Sequence, residues 1–341
     1  MIATLIAAAS ITVTSLPHRP YAETLDRGFA INGDLMVENT GSEEEELTEL
    51  RMDAFDAQGR LLLRREVNEN GTAPAIEMIP LRRVKAGERL VVFNPLTEFR
   101  LAQVPARVDY QMTFRSPSKK QEKLSLSITP RPSPKQVGRF PVSGRVLVWD
   151  GHDLTSHHRR VNFENPALAS LKLTKNSARY GYDLIVINAE GKRSVGNEKA
   201  FANWLSFGTP VRATGDGVVV SSRNNVRDED DFDYSTAKGP NANVANHVVI
   251  READGSYALF GHLKMGSVLV KPGQRVRAGE VIGQIGSSGD SLFPHLHYQR
   301  MDGPDSANSE GIPTRFSNIA RPNGERFANG YIDSGDIVIA K

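Results

Sequence analysis

A mainly β chain of two domains is the architecture this sequence predicts: an N-terminal β-sandwich-like domain, then a larger antiparallel β domain. Three features carry that expectation. Short runs of β-branched and aromatic residues recur along the whole chain, with Gly, Pro, Asn and Asp between them. Apolar residues seldom repeat at helical spacing. The length of 341 residues exceeds the size at which one core usually stops growing, and the stretch TPRPSPKQVGR, Thr129 to Arg139, carries three prolines that favour extended, poorly packing backbone. The expected organisation is a sandwich-like domain over residues 1–130, a proline-rich linker over 131–143 and a second domain over 144–341.

The chain opens on MIATLIAAASITVTSL, which is apolar enough for the core of a signal peptide, and Pro20-Tyr21-Ala22 could end a cleavage site. No basic residue precedes that run, and Ile11-Thr12-Val13-Thr14 reads equally as a first strand, so both readings stand. No stretch is long and apolar enough to span a membrane. Strand-like runs follow at Asp34 to Val37, Arg60 to Leu63, Leu90 to Phe93, Tyr110 to Phe114 and Leu124 to Ile128. Such regular short runs fit a sandwich. Glu43-Glu44-Glu45-Glu46 reads as a solvated loop, because crowded like charges stay in water.

Beyond the linker, Gly144 to Trp149 reads as a strand, and Asp150 to Arg160 holds three of the chain's eight histidines. Further strands are expected at Tyr182 to Ile187, Gly217 to Ser221, His247 to Arg251, Tyr257 to Leu263, Gly279 to Gly283 and His295 to Gln299, with Asn197 to Leu205 the best helical segment. Arg223 to Asn246 is a long insertion bearing Asp228, Glu229, Asp230, Asp231 and Asp233, either a mobile flap or a wall of a groove that attracts a cationic group. The formal net charge is only +2 with basic residues scattered, so no nucleic-acid footprint is present. With no cysteine, any metal site must rest on His and carboxylates.

His295-Leu296-His297 lies in an expected strand, where alternate residues share a face, so both imidazoles project to one side. Such a pair suits a metal, or one ring on the metal and one beside the reacting group. Upstream, Tyr257-Ala258-Leu259-Phe260-Gly261-His262-Leu263 ends a strand on a histidine, and Gly273-Gln274-Arg275-Val276-Arg277-Ala278-Gly279-Glu280-Val281-Ile282-Gly283 reads as a hairpin. With Gly208-Thr209-Pro210-Val211 and Asp216-Gly217-Val218-Val219 before them, these motifs stand in one order from about residue 180 to residue 300. In that order they resemble the lysostaphin-like (LytM-type) zinc metallopeptidase family, whose members are peptidoglycan endopeptidases.

The resemblance implies a C-terminal lysostaphin-type antiparallel sheet (a duplicated hybrid motif), bound Zn2+, and hydrolysis of peptide bonds in peptidoglycan stems or cross-bridges outside the cytoplasmic membrane. It also implies that His297 and Asp183 bind the metal, while His262 and His295 flank the reacting group as catalytic residues. The family's first zinc histidine would stand four residues before the aspartate, where this chain has Arg179, which cannot ligate a cation. His158 is the replacement expected as third ligand, with His157 the alternative. Phe293 and Gln299 stand where the family usually has glycine and glutamate, changes that touch groove shape and hydrogen bonding to the histidines. His247 and His18 are read as structural or rim residues, with Asn246 in the place of a family asparagine. Two rival readings remain: a zinc-free binding or regulatory module of the same fold, for which Arg179 speaks, and a biotinyl- or lipoyl-like carrier, which leaves the histidines unexplained.

Overall fold

In the computed structural model, the residues described are 10–25, 28–229, 232–237, 239–327 and 329–341. Residues 1–9, and with them most of the signal-peptide reading, lie outside this set; Ile11–Leu16 is a strand. The chain separates into two compact units, Met1–Pro132 and Ser133–Lys341. Among the described residues no helix is long and apolar enough to cross a membrane, and the helical elements are short 3-10 turns.

The first unit is sandwich-like. A five-stranded sheet runs Gln121–Ile128, Arg107–Arg115, Glu45–Phe55, Leu61–Asn68, with Arg83–Val84 also on Glu45–Phe55. A three-stranded sheet (Ile11–Leu16, Asp34–Asn39, Arg89–Val92) and a four-stranded one (Arg131–Pro132, Tyr21–Leu25, Gly28–Ile31, Glu98–Phe99) complete it. Alternate residues supply one core: Val108, Tyr110, Met112 and Phe114 from one strand, Leu50, Met52 and Ala54 from its neighbour, Leu35 and Val37 from a second sheet. The acidic run is not a solvated loop as a whole. Glu45 and Glu46 begin a strand, and Glu45 is 5% exposed. Pairing with Arg83–Val84 draws this end of the strand into the sheet, and burial raises the Glu45 carboxyl above its usual range, helped by Glu122 and Glu43.

The second unit is built on a nine-stranded antiparallel sheet in the order Arg275–Val276, Gly217–Arg223, His247–Glu252, Tyr257–Gly261, Leu296–Met301, Tyr182–Val186, Gly144–Asp150, Ile337–Ala340, Ile319–Ala320. Central strands are covered on both faces, which explains their continuous apolar runs. Val248, Ile250, Ala258, Phe260 and Tyr298 enter the main core with Val211 and Ile282 of a separate two-stranded sheet, while Val249, Leu259 and Met301 pack with Val244 on the other side. The proline-rich stretch expected as a linker does not run free. Arg131–Pro132 pairs in parallel with Tyr21 and Ala22, Val137–Arg139 pairs with Arg315–Ser317, and Phe140 and Val142 are core residues of the second unit. Asn197 to Leu205 forms only the turn Phe201–Asn203; Asn203 Nδ2 and Trp204 Nε1 donate to the carbonyls of Asn197 and Glu198, local bonds that compete with a helix.

Candidate metal centre

Strand pairing brings the histidines and the aspartate together. Asp183 lies opposite His297 across one ladder, and His297 lies opposite Gly261 across the other. His262 therefore follows directly beside the pair. A Cβ at Gly261 would sit 2.7 Å from Val244 Cβ, so only glycine allows this close approach. His262 adopts φ +57°, a left-handed conformation that non-glycine residues seldom take and that costs on the order of 1–3 kcal/mol. Its N–H donates to the Val244 carbonyl at 3.0 Å, its carbonyl accepts from Gly286 N–H at 3.0 Å, and its Nδ1 donates to the Ser288 carbonyl at 2.7 Å. His295 precedes the strand Leu296–Met301 by one residue and bridges to Gly286. Two residues from His297, it shares that residue's face.

Three imidazole nitrogens converge on one carboxylate oxygen. Asp183 Oδ1 lies 3.1 Å from His297 Nδ1, 3.3 Å from His158 Nε2 and 3.3 Å from His295 Nε2. Asp183, His158, His262, His295 and His297 are each 4–5% exposed. Burial alone would raise the Asp183 carboxyl, but His158 and His295 hold it well below the usual carboxylate range, so it is anionic. Burial, with His295 and His297 nearby, holds His262 well below the usual imidazole range, so it is neutral at pH 7. Burial also lowers His158. His295 goes the other way: burial lowers it, but the Asp183 charge and the hydrogen bonds to Asp183 and the Phe293 carbonyl together raise it.

The donor set fits a cation. His297 Nε2 meets the Gln299 side-chain oxygen at 2.8 Å; with the ring hydrogen on Nε2, donated to that oxygen, Nδ1 would present a lone pair to Asp183. Two acceptors facing each other at 3.1 Å repel unless a positive charge sits between them. Four ligands held tetrahedrally at about 2.0–2.1 Å from zinc would lie about 3.3 Å from one another, matching the 3.1 and 3.3 Å separations. These separations suit His158, Asp183 and His297 as zinc ligands, and His295 Nε2 stands at the same 3.3 Å from Asp183 Oδ1.

His158 reaches this point from a loop with no regular structure. The strand Gly144–Asp150 ends at Asp150; Ser156 Oγ donates to the Gly151 carbonyl at 2.6 Å and accepts from His158 N–H at 3.1 Å, and Asn176 Nδ2 donates to the His158 carbonyl at 2.9 Å. His157 is 70% exposed on the rim, with Nε2 3.9 Å from Asp183 Oδ2 and Nδ1 against Asp150. Asp150 Oδ2 is also 3.6 Å from His158 Nδ1, and ligand atoms of Asp150, His157, His158 and Asp183 all fall within 4.8 Å of one another. The sequence reading overlooked Asp150, although it opens the histidine-dense segment. Ser288, which fixes His262, carried no signal.

Arg179 is placed by burial. It is 1% exposed, and its Nε donates to Glu310 Oε1 at 2.7 Å. His152 is also buried, ringed by Tyr180, Tyr182 and Tyr331, and His247 bonds Ser221 Oγ and the Ala245 carbonyl; neither reaches Asp183. His18 is exposed in the other unit.

The centre opens into a cleft of about 600 Å³. Trp149, Phe293, Leu292, Val161, Leu168 and Leu171 are among its apolar lining. Tyr234, Asn243 and Val244 of the insertion also line it, with Tyr234 donating to Asp290 and its carbonyl accepting from Ser170 Oγ at 2.7 Å. This part of the insertion is a wall, not a free flap. Asp228 turns inward to accept from Ser287 and Met265 N–H, while Asp230 and Asp231 lie outside the described residues.

Residues 203–309 match Peptidase family M23. That stretch contains His262, His295 and His297 but not His158 or Asp183. The chain is 36% identical over 146 residues to the DD-carboxypeptidase/endopeptidase Mpg of Neisseria meningitidis serogroup B, covering 42% of this chain and 29% of that protein. It is 33% identical over 137 residues to the glycyl-glycine endopeptidase ALE-1 of Staphylococcus capitis, covering 40% and 32%. With the peptidoglycan DD-endopeptidase ShyA of Vibrio cholerae it shares 38% identity over 115 residues, 33% and 23% of the two chains. The matched stretch thus spans about a third or less of these relatives. Among solved structures, the catalytic domain of lysostaphin from Staphylococcus simulans is 27% identical, covering 39% of this chain and 74% of that one at a TM-score of 0.26. Over residues 203–309, this chain carries a peptidase family M23 domain.

Proposed function

We propose that this chain is a zinc-dependent endopeptidase that hydrolyses peptide bonds of peptidoglycan outside the cytoplasmic membrane. In this reading His158, Asp183 and His297 hold the zinc, and His262 and His295 serve the reaction. The observation that carries it is the convergence of buried imidazole nitrogens on Asp183 Oδ1 at 3.1–3.3 Å, at the floor of an open cleft. A relative named as a peptidoglycan DD-endopeptidase supports the substrate class. Zinc bound there would act as a Lewis acid on the scissile carbonyl and make water a nucleophile at neutral pH.

The other groups work around that centre. The neutral His262 spends Nδ1–H on the Ser288 carbonyl, which leaves Nε2 to accept a proton or a hydrogen bond. His295 spends Nδ1–H on the Phe293 carbonyl at 2.8 Å, turning Nε2 toward Asp183 and the cleft. Arg179, the residue that favoured a zinc-free module, has a structural reason to be there in its buried pairing with Glu310.

The test is zinc content per chain, by elemental analysis, for wild type and for His297→Ala, His158→Ala and His157→Ala, together with peptide release from purified peptidoglycan. One zinc per wild-type chain, lost in the first two variants and retained in the third, with hydrolysis following the metal, is expected. A wild type that takes up no zinc when supplied with it would sink the enzyme reading, and loss in His157→Ala alone would move the third ligand to His157.

A further inference from the structure

We propose that the cleft beside Trp149, on the outer face of the large sheet, is a glycan subsite that takes an N-acetylhexosamine ring of the polymer whose peptide enters the metal cleft. The proposal rests on the reading of peptidoglycan as substrate and adds to it a sugar specificity and a place for it. Strand alternation puts Val146 and Val148 into the core and turns Leu147 and Trp149 outward. Trp149 is 43% exposed, an unusual fate for the residue with the most apolar surface to hide.

The surroundings suit a sugar. The cleft measures about 670 Å³, its floor is Leu147 with Ile185 of the neighbouring strand, its wall is the Trp149 indole, and its rim carries Asn188, Lys192 and Arg193. A pyranose ring has an apolar C–H face and an edge of hydroxyl and amide groups. A flat indole with polar groups along one side is complementary to both. The indole is held firmly: Arg193, clamped by Glu198 at 3.0 and 2.8 Å, lies 5.2 Å from the Trp149 ring and 4.8 Å from the Trp204 ring. Phe293 packs at 5.3 Å on Trp149 and at 5.2 Å on both Trp204 and His295.

The position relative to the metal cleft also fits. Trp149 lines both clefts, so they lie on either side of one ring. A peptide lying over His295 and His297 that is joined to a sugar would carry that sugar past Phe293 and onto Trp149. With Phe293 edge-on against Trp149 and stacked on Trp204, the aromatic side chains are already packed together, so binding orders little new and the entropic cost stays low.

Two measurements on the full chain test this. The first is calorimetric titration with a peptide-free tetrasaccharide of alternating N-acetylglucosamine and N-acetylmuramic acid, against wild type, Trp149→Ala and Trp149→Phe. Binding to wild type, weakened about tenfold in Trp149→Ala and largely kept in Trp149→Phe, is expected. No binding to wild type, or equal binding by Trp149→Ala, would overturn the subsite. The second is kcat/KM on a disaccharide-bearing cross-linked peptide and on the same peptide without sugar. The wild type should favour the sugar-bearing substrate, and Trp149→Ala should bring the ratio toward one. A structural role alone would lower both rates and leave the ratio unchanged, which refutes the proposal. Tetrasaccharide binding by a wild type that cleaves neither substrate would keep the subsite and reject the hydrolase reading.

Discussion

Replacing Arg179 with histidine, the residue that family resemblance would put there, separates a lost ligand from a scaffold. Arg179 is 1% exposed and Glu310 is 7% exposed, and they meet at 2.7 Å. Removing one partner leaves an uncompensated buried charge, which costs about 3–5 kcal/mol. Glu310 N–H also donates to Asp302 at 2.8 Å, and a Cβ at Gly311 would meet Arg179 Cβ at 3.3 Å, so the Arg179 and Glu310 segments are closely packed. For a unit of this size each kcal/mol moves the melting temperature by about 2–4 °C, so Arg179→His should lower it by about 6–20 °C. Zinc content should not rise above wild type. Replacing both partners, Arg179→Met with Glu310→Leu, should recover much of the loss, because the Glu310 carboxylate is then no longer buried without its guanidinium. Differential scanning calorimetry of the three proteins, with zinc analysis, reads both effects. A fall below about 3 °C in Arg179→His would refute the scaffold role, and a second zinc or tighter zinc binding would mean that the position is a ligand site after all.

Two further outcomes follow from the centre and its surroundings. Gln299→Leu removes the acceptor that fixes the His297 tautomer and should weaken zinc about 10–100-fold in a chelator competition, whereas Gln299→Glu should keep or tighten it; equal affinity in all three would show that Gln299 does not set the ligand. Asp333, raised from 3.8 to about 6 by burial and by Asp153 against the pull of His152, keeps its proton in the fold after the unfolded chain has lost it. Its stabilising contribution is full below pH 3.8 and is lost as pH rises through 6, a change of about 3 kcal/mol. Asp333→Asn, which mimics the protonated acid, should match wild type at pH 4 and melt higher at pH 7.5. An unchanged difference between the two pH values would remove the assignment.

The motif strands could be read from the chain because their information is local: alternation, β-branched runs and turn residues mark Tyr182–Val186, Tyr257–Gly261 and Leu296–Met301 within a residue or two. The wrong readings arose where distant partners decide. Glu45 and Glu46 of the acidic run became strand because Arg83–Val84 pairs with them, and the proline-rich stretch joined two sheets because Tyr21 and Arg315 lie alongside. A proline denies one donor but leaves its carbonyl and its neighbours free to pair.

By itself, then, the sequence determined the β class, the absence of thiolate chemistry and the set of residue types that can bind a metal, since these depend on composition and on patterns a few residues long. Only the tertiary structure decided that His158 of an irregular loop meets Asp183 while His152, six residues earlier, is buried among tyrosines. It also decided that Arg179 faces Glu310, 131 residues away, and that Trp149 stays at the surface. Loop paths and long-range pairs are set by the whole unit's packing and polar satisfaction, which no window of sequence contains.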